Sequence, residues 1–342
     1  MIKKILLVLL SVLVFASCSN KTTSPDSSNN GDNSGVTPPA IDKEEEELVK
    51  KYGIDISQDD AVISQKIEEN LKAYFAEKNS YRVILTGTPK DYTQDVNESL
   101  YTLVLKAAVK VNTTMNIDLD IKNIDFKDSS VKTGMFSGEG VDNSENIFIT
   151  FQFPENKIKT IEMRSFDNLS NTKEIIIPDS VITISESAFC FSSSIEKLIL
   201  GKNVQTIGNS AFSYVQFLSE VIIPDSVKTI GEQAFANDTI QKLQLSSSLE
   251  TIGSAAFINL EIEELVIPAS VKTVGEQAFA YSFKALKRVV YYGDSPNIIN
   301  YTGNVFEGCF SLSTLIIPNA KNEKDEGWKT FLGGSFTDIR KQ

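Results

Sequence analysis

Histidine is absent from all 342 residues of the chain. That removes every Ser-His and Cys-His nucleophile pair and every zinc site built on imidazole. Cysteine is nearly as scarce. Cys18, Cys190 and Cys309 form no Cys-x-x-Cys pair and no ligand spacing, so no metal centre and no cofactor is expected. Basic charge is in deficit: 33 Lys and Arg stand against 45 Asp and Glu, a net charge of −12. Nucleic-acid binding draws its affinity from Lys and Arg that neutralise phosphates, and this balance argues against it. Long apolar runs are missing too, apart from Ile5 to Phe15 near the N-terminus, which is too short to span a bilayer. What is present suffices for a folded body. A hydrophobic content of 41% excludes global disorder, and the length predicts two domains or one long repeat array.

Lys3 and Lys4 precede the apolar stretch, and Phe15-Ala16-Ser17-Cys18 follows it as a cleavage site. The segment resembles a bacterial lipoprotein signal, in which the cysteine becomes the lipidated first residue. The resemblance implies a signal peptide over 1–18, lipidation at Cys18, and an exported protein anchored to a bacterial membrane, at the outer membrane or cell surface. Phe15 stands where such signals usually carry Leu. An ordinary secretory cut after Ala16 is the other reading. Residues 19–42, rich in Ser, Asn, Thr and Pro, read as a disordered tether.

Residues 43–122 read as a small α/β cap. Glu44 to Glu47 open a short helix in which Glu46 and Glu47 face Lys50 and Lys51, a solvated face stopped at Gly53. Ser57 with Asp60 is positioned to cap a second helix with the stripe Ile63, Ile67, Leu71 and Phe75. Tyr81 to Thr86 is a strand. Asp95 with Glu98 then opens a helix carrying Leu100, Leu103, Leu105 and Ala107. From Met115 to Ile121 the pattern alternates, with Ile117, Leu119 and Ile121 on one side and Asp118 and Asp120 toward solvent.

The second half repeats. Val221-Ile-Ile-Pro-Asp-Ser-Val-Lys-Thr-Ile-Gly-Glu-Gln-Ala-Phe235 recurs from Ile175, Leu198, Leu243 and Leu265. Its last residue recurs as Phe166, Phe189, Phe212, Phe235, Phe257 and Phe279, every 22 or 23 residues. A looser turn ends at Phe306 and a last strand covers Leu315 to Ile317. Ile117 to Ile121 and Ile149 to Phe153 read as degenerate opening turns, with Phe136 as an early anchor. One turn cannot bury its apolar side alone, so the turns must stack. Val221 and Ile223 face inward and Ile222 outward. Pro224 stops the strand, Gly231 supplies a candidate positive-φ position, and Val227, Ile230, Ala234 and Phe235 return across the core. The expected fold is an α/β repeat: a solenoid over 123–342 with parallel strands on one face, preceded by the α/β cap. At roughly 4.8 Å per turn, Cys190 and Cys309 lie about 25 Å apart, beyond disulfide reach.

The pattern Leu-x-x-Leu-x-Ile-Pro-x-Ser-Val-x-Thr-Ile-Gly-x-x-Ala-Phe resembles the leucine-rich repeat of BspA-like proteins, the treponemal type. Gly201 and Ser246 replace its Pro, and Ser185 its Gly. The resemblance implies a leucine-rich-repeat solenoid and an adhesin-like surface protein that binds an extracellular protein or glycoprotein.

The outward strand positions are candidate binding residues. Their central column is Ile176, Ile199, Ile222, Gln244, Val266, Val290 and Ile316. One column back come Glu174, Lys197, Glu220, Lys242, Glu264 and Arg288, whose signs alternate and cancel locally. Six aliphatic side chains in one exposed row form a patch of the size that marks interaction sites, for a partner or for a homo-oligomer. The plainer reading is that β-branched residues favour strands. No enzyme is expected. Ser-x-x-Lys at Ser129–Lys132 and Lys-Thr-Gly at Lys132–Gly134 share Lys132, whereas the serine enzymes that use both need them on separate elements. A carboxylate-based hydrolase is the remaining catalytic reading, since 45 acids offer many chance pairs.

Overall fold

The computed structural model describes residues 42–92, 99–283 and 285–341. The signal segment with Cys18, the tether up to residue 41, and the Asp95 and Glu98 cap lie outside the described residues.

From residue 43 onward the chain is one compact unit. It opens with α1 (Lys43–Tyr52), β1 (Gly53–Asp55), α2 (Asp60–Lys78), β2 (Tyr81–Gly87), α3 (Leu100–Val111) and β3 (Thr114–Ile124). The caps differ from those the sequence suggested. Asp59, without a side-chain bond, stands before α2, while Ser57 donates through its N–H and hydroxyl to Asp55 Oδ1. Ser99 caps α3, its Oγ accepting from Thr102 N at 3.1 Å. The buried stripe of α2 is Ile63, Ile67, Leu71 and Tyr74. Phase decides the last member: Tyr74 sits three residues after Leu71 and meets Tyr52 of α1 edge-on at 5.1 Å, whereas Phe75 is exposed and stacks on Tyr81 at 4.6 Å.

β3 breaks its alternation at Asp120, which is fully buried rather than solvated. Arg82 of the neighbouring strand lies 2.5 Å from it and also binds Glu45 of α1, with Lys122 3.5 Å from Asp120. A buried carboxylate needs such partners. The acidic run of α1 is therefore more than a solvated face: Glu45 ties the helix to the sheet, and Lys51 pairs with Glu77 of α2. The hydrogen bond from Arg82 holds the Glu45 carboxyl below its ordinary range despite partial burial.

After β4 (Ser130–Val131), β5 (Asn146–Gln152) pairs in parallel with β3 and completes a cap sheet of order β1-β2-β3-β5. The cap boundary expected after residue 122 falls inside β3. After β6 (Thr160–Ile161) each turn holds two strands. The first kind is β7 (Glu174–Ile176), followed a turn later by β9 (Lys197–Ile199), then β11 (Glu220–Ile222), β13 (Lys242–Gln244), β15 (Glu264–Ile267), β17 (Arg288–Tyr291) and β19 (Thr314–Ile316). The second kind is β8 (Thr183–Ile184), β10 (Thr206–Ile207), β12 (Thr229–Ile230), β14 (Thr251–Ile252), β16 (Thr273–Val274) and β18 (Asn300–Tyr301). These two-residue strands stack with β4 and β6 into an unbroken eight-stranded parallel sheet. The sequence suggested only a return path there, because two alternating residues are too short to register as a strand.

The core is the file of phenylalanines. Phe166, Phe189, Phe212, Phe235, Phe257 and Phe279 stack with centroids 5.0–5.7 Å apart and planes within 10°. Phe136 and Phe306 extend it at either end. From Phe136 to Phe279 each Phe N–H donates one turn ahead, as Phe189 does to Ala211 O at 2.7 Å, whereas Phe306 N donates to Asn304 Oδ1 at 3.1 Å. The repeated glycine answers to that tight rise, not to backbone sign. Gly231 lacks a positive φ; a Cβ there would lie 2.6 Å from Asn209 N and Gly208 C of the previous turn. The left-handed residue comes two later, at Gln233 (φ 54°). Cys190 and Cys309 are buried, unbridged thiols. A C-terminal cap went unread in the sequence: Trp328, Phe331 and Leu332 are buried in the 3-10 stretch Glu326–Gly333, and β20 (Asp338–Arg340) pairs with β19.

Candidate functional site

Strand alternation sends Ile175, Val221 and Leu265 into the core and turns their neighbours outward. Ile176, Ile199, Ile222 and Val266 are each 41–51% exposed, and Gln244 is exposed between them. Val290 does not belong to this exposed row: it is 7% exposed. β17 is hydrogen-bonded on both sides, so Val266 and Ile316 flank Val290 in register and close over it. Ile316 is half-buried.

The strand face is not one sheet. β7 pairs with β9, β11 with β13, and β15, β17, β19 and β20 form a third group, with no ladder across β9/β11 or β13/β15. The charged column follows the same partition. Glu174 meets Lys197 at 2.5 Å, Glu220 pairs with Lys242, and Glu264 meets Arg288 at 2.5 Å, each within one hydrogen-bonded group. What looked in the sequence like a continuous alternating rail is three discrete pairs. Lys202 and Asp179 make a further contact at 2.5 Å, which lowers the Asp179 carboxyl pKa.

Where the strands part, apolar surface opens. Leu198 and Leu243, inward in the repeat, are only half-buried. A groove of about 570 Å³ runs between β9 and β11, lined by Leu198, Ile199, Ile222 and Pro224 with Lys197 and Glu220 at its rim. A neighbouring one of about 610 Å³ uses Phe153, Ile176 and Pro178, bounded by Lys159, Asp179 and Lys202. The structure thus brings Ile176, Ile199 and Ile222 to adjoining grooves, with Val266 beyond the second parting.

A second exposed row was missed in the sequence. Two residues after each anchor phenylalanine from Phe166 to Phe306 the backbone is left-handed, at Asn168, Phe191, Tyr214, Asn237, Asn259, Tyr281 and Gly308, with φ between 55° and 72°. Asn and Gly suit that conformation; an aromatic residue there costs about 1–2 kcal/mol. Phe191 and Tyr214 stack at 4.9 Å, and Phe283 stacks on Phe310, which is 84% exposed. Aligning the repeats would have exposed the signal: Asn or Gly at one position in four turns, a ring in three.

A small pocket of about 290 Å³ lies beside Lys132, lined also by Thr88, Lys90, Thr133 and Glu162, and Lys132 is held in ion pairs there. Lys132 is bound to Glu162 at 3.1 Å and faces Asp128 at 3.6 Å, and the Glu162 hydrogen bond raises its pKa. Among the described residues, no cluster of three or more Cys, Asp or Glu side chains could hold a metal ion, and no helix is long and apolar enough to cross a membrane.

Comparison with solved structures finds repeat proteins of low identity. A leucine-rich repeat protein from Bacteroides ovatus is 20% identical over 65% of this chain, with a TM-score of 0.46; the chain spans 60% of its length. A leucine-rich cell surface protein from Faecalibacterium prausnitzii is 18% identical over 75% of this chain and 76% of its own, with a TM-score of 0.38. The pneumococcal vaccine antigen PcpA is 19% identical over 66% of this chain and 67% of its own, with a TM-score of 0.39. No curated protein matches the chain. The family model of the BspA-type leucine-rich repeat region matches six copies, over residues 142–261 and 210–327, together more than half of the chain. Those repeats, and the file of phenylalanines they build, make the chain a member of the BspA-type leucine-rich repeat family.

Proposed function

We propose that the protein is an exported bacterial surface protein, anchored through a lipid on Cys18, that binds an extracellular protein or glycoprotein with the strand face of its solenoid. The observation that carries this reading is the exposed aliphatic row Ile176, Ile199, Ile222 and Val266, set at parted strands whose grooves have a charged rim. An apolar centre within a polar rim is the anatomy of a protein-binding patch. The rim charges are paired along the solenoid, so they orient a partner at short range and exert little long-range steering. Membership of the BspA-type repeat family supports adhesion as the biological role in this reading; the fold itself defines a surface and names no ligand. Residues 19–42 serve in this reading as the spacer between anchor and body.

Probing an array of extracellular-matrix proteins and glycoproteins with the purified protein tests the proposal. The triple variant Ile199→Glu, Ile222→Glu and Val266→Glu loses the bound ligands while its circular dichroism is unchanged. Wild-type binding by that variant removes the strand face as the site. The same row favours self-association as the second reading, and sedimentation separates the two: a monomer at micromolar concentration excludes the homo-oligomer.

A further inference from the structure

The row of exposed rings at the edge of the solenoid has no part in the strand-face reading. It follows the left-handed column, whose backbone is bonded from turn to turn on both sides of Asn237: Phe191 N donates to Ser213 O at 2.9 Å, Tyr214 N to Ala236 O at 2.9 Å, Asn259 N to Ala280 O at 3.0 Å and Tyr281 N to Glu307 O at 2.7 Å. Phe191 and Tyr214 form one aromatic platform, with Phe217 exposed nearby in sequence. Three turns on, Tyr281, Phe283 and Phe310 form another, lining a shallow groove of about 1070 Å³ with Asn259, Glu261 and Ser311. Between the platforms the column carries Asn237 and Asn259, joined by a hydrogen bond at 3.5 Å. Phe191 and Tyr214 sit in a backbone conformation that Asn takes more easily, and they are left exposed. Burial does not explain these rings, and strain of this kind collects at functional positions.

We propose that this edge is a binding site for a linear, uncharged polysaccharide. Three features select that class. Every residue of the left-handed column is uncharged, and Glu261 is the one charged side chain among the described residues that line the groove, so an anionic ligand finds no counter-charge there. The rings stand as two separate platforms, of two and of three, rather than as one broad apolar patch of the kind a stable protein interface buries. Spacing is the third. Turns advance by 5.0–5.7 Å at their anchors, close to the length of one hexopyranose unit, whereas an extended peptide repeats its side chains on one face about every 6.7 Å and falls out of step. A pyranose presents apolar C–H faces to the rings, and its hydroxyl rim meets the amides of Asn237 and Asn259 and the carboxylate of Glu261.

Affinity electrophoresis of the purified protein tests this in native gels that hold hydroxyethylcellulose, galactomannan, arabinoxylan or dextran. The wild type is retarded in at least one gel. The double variant Phe191→Asn and Tyr214→Asn weakens that retardation at least about tenfold, and Phe310→Ser at the far platform weakens it independently. Because Asn already occupies the column at 168, 237 and 259, the double variant melts at or above the wild-type temperature, which separates lost binding from lost folding. The strand-face triple variant keeps full retardation, so failure of this site and failure of the strand-face site are distinguishable. Migration unaffected by all four polymers overturns the proposal. So does retardation that survives the ring substitutions, or that disappears with the strand-face variant instead.

Discussion

Asp238 is the solenoid's most exposed liability in energetic terms, although it is 1% exposed to solvent. It stands three residues after Phe235, where its Oδ1 accepts from Val215 N of the preceding turn at 2.7 Å, while Oδ2 has no partner. The counterpart three residues after Phe189 is Ser192, which satisfies both needs: it accepts from Leu169 N at 3.0 Å and donates to Phe166 O at 2.9 Å. Burial therefore raises the Asp238 pKa well above its ordinary value, the bond from Val215 opposing only in part. A raised native pKa means the folded state holds its proton more tightly than the unfolded chain. Stability contributed by this group is present below the unfolded value, about pH 4, and is lost as pH rises through the native pKa. Asp238→Asn keeps the acceptor, places a donor at the orphaned position and cannot ionise. An unpaired buried polar atom costs about 1–3 kcal/mol, so the variant gains about that much at neutral pH and little near pH 4. Urea denaturation at several pH values, followed by circular dichroism and by the single Trp328, reads the difference. A gain that is the same at acid and neutral pH, or a loss at neutral pH, refutes the reasoning.

Two further outcomes follow from the packing. Gly253→Ala places a Cβ 2.4 Å from Glu232 N and Gly231 C, so adjacent turns must separate. A cost of about 3 kcal/mol in urea denaturation is expected, against no loss for Gly140→Ala, whose Cβ meets nothing within 4 Å. Arg82→Met leaves Asp120 buried with the Lys122 N–H donating to Oδ1 at 2.8 Å and the Lys122 ammonium 3.5 Å away. It destabilises the protein by about 3 kcal/mol, and the accompanying Asp120→Asn restores part of the loss in a double-mutant cycle. An undiminished midpoint in the single variant contradicts the assigned ion-pair cluster.

The repeat was legible because its signals are redundant. Phe189, Phe212, Phe235 and Phe257 recur at nearly constant spacing, and each neighbouring position carries the same chemistry, so one misread turn is corrected by the next. The cap had no such redundancy. Local patterns there assigned Phe75 to the core and Asp120 to solvent, and both were reversed by what packs against them: Tyr52 against Tyr74, and Arg82 against Asp120. On the strand face the columns and their charge order were readable, but the exposure of individual members was not. Val290 has the same alternation as Val266 and differs because β17 is paired on both sides.

By itself, then, the amino-acid sequence determined the period, the inward and outward faces of each turn, and that Cys190 and Cys309 do not pair, since all three follow from the repeat and the geometry of a parallel stack. Only the tertiary structure decided where neighbouring strands pair and where they part, and which rings stand exposed at the edge. Those outcomes depend on contacts between turns 22 or 23 residues apart, where ladder bonds, side-chain volume and left-handed backbone compete over differences of about 1 kcal/mol that no single turn encodes.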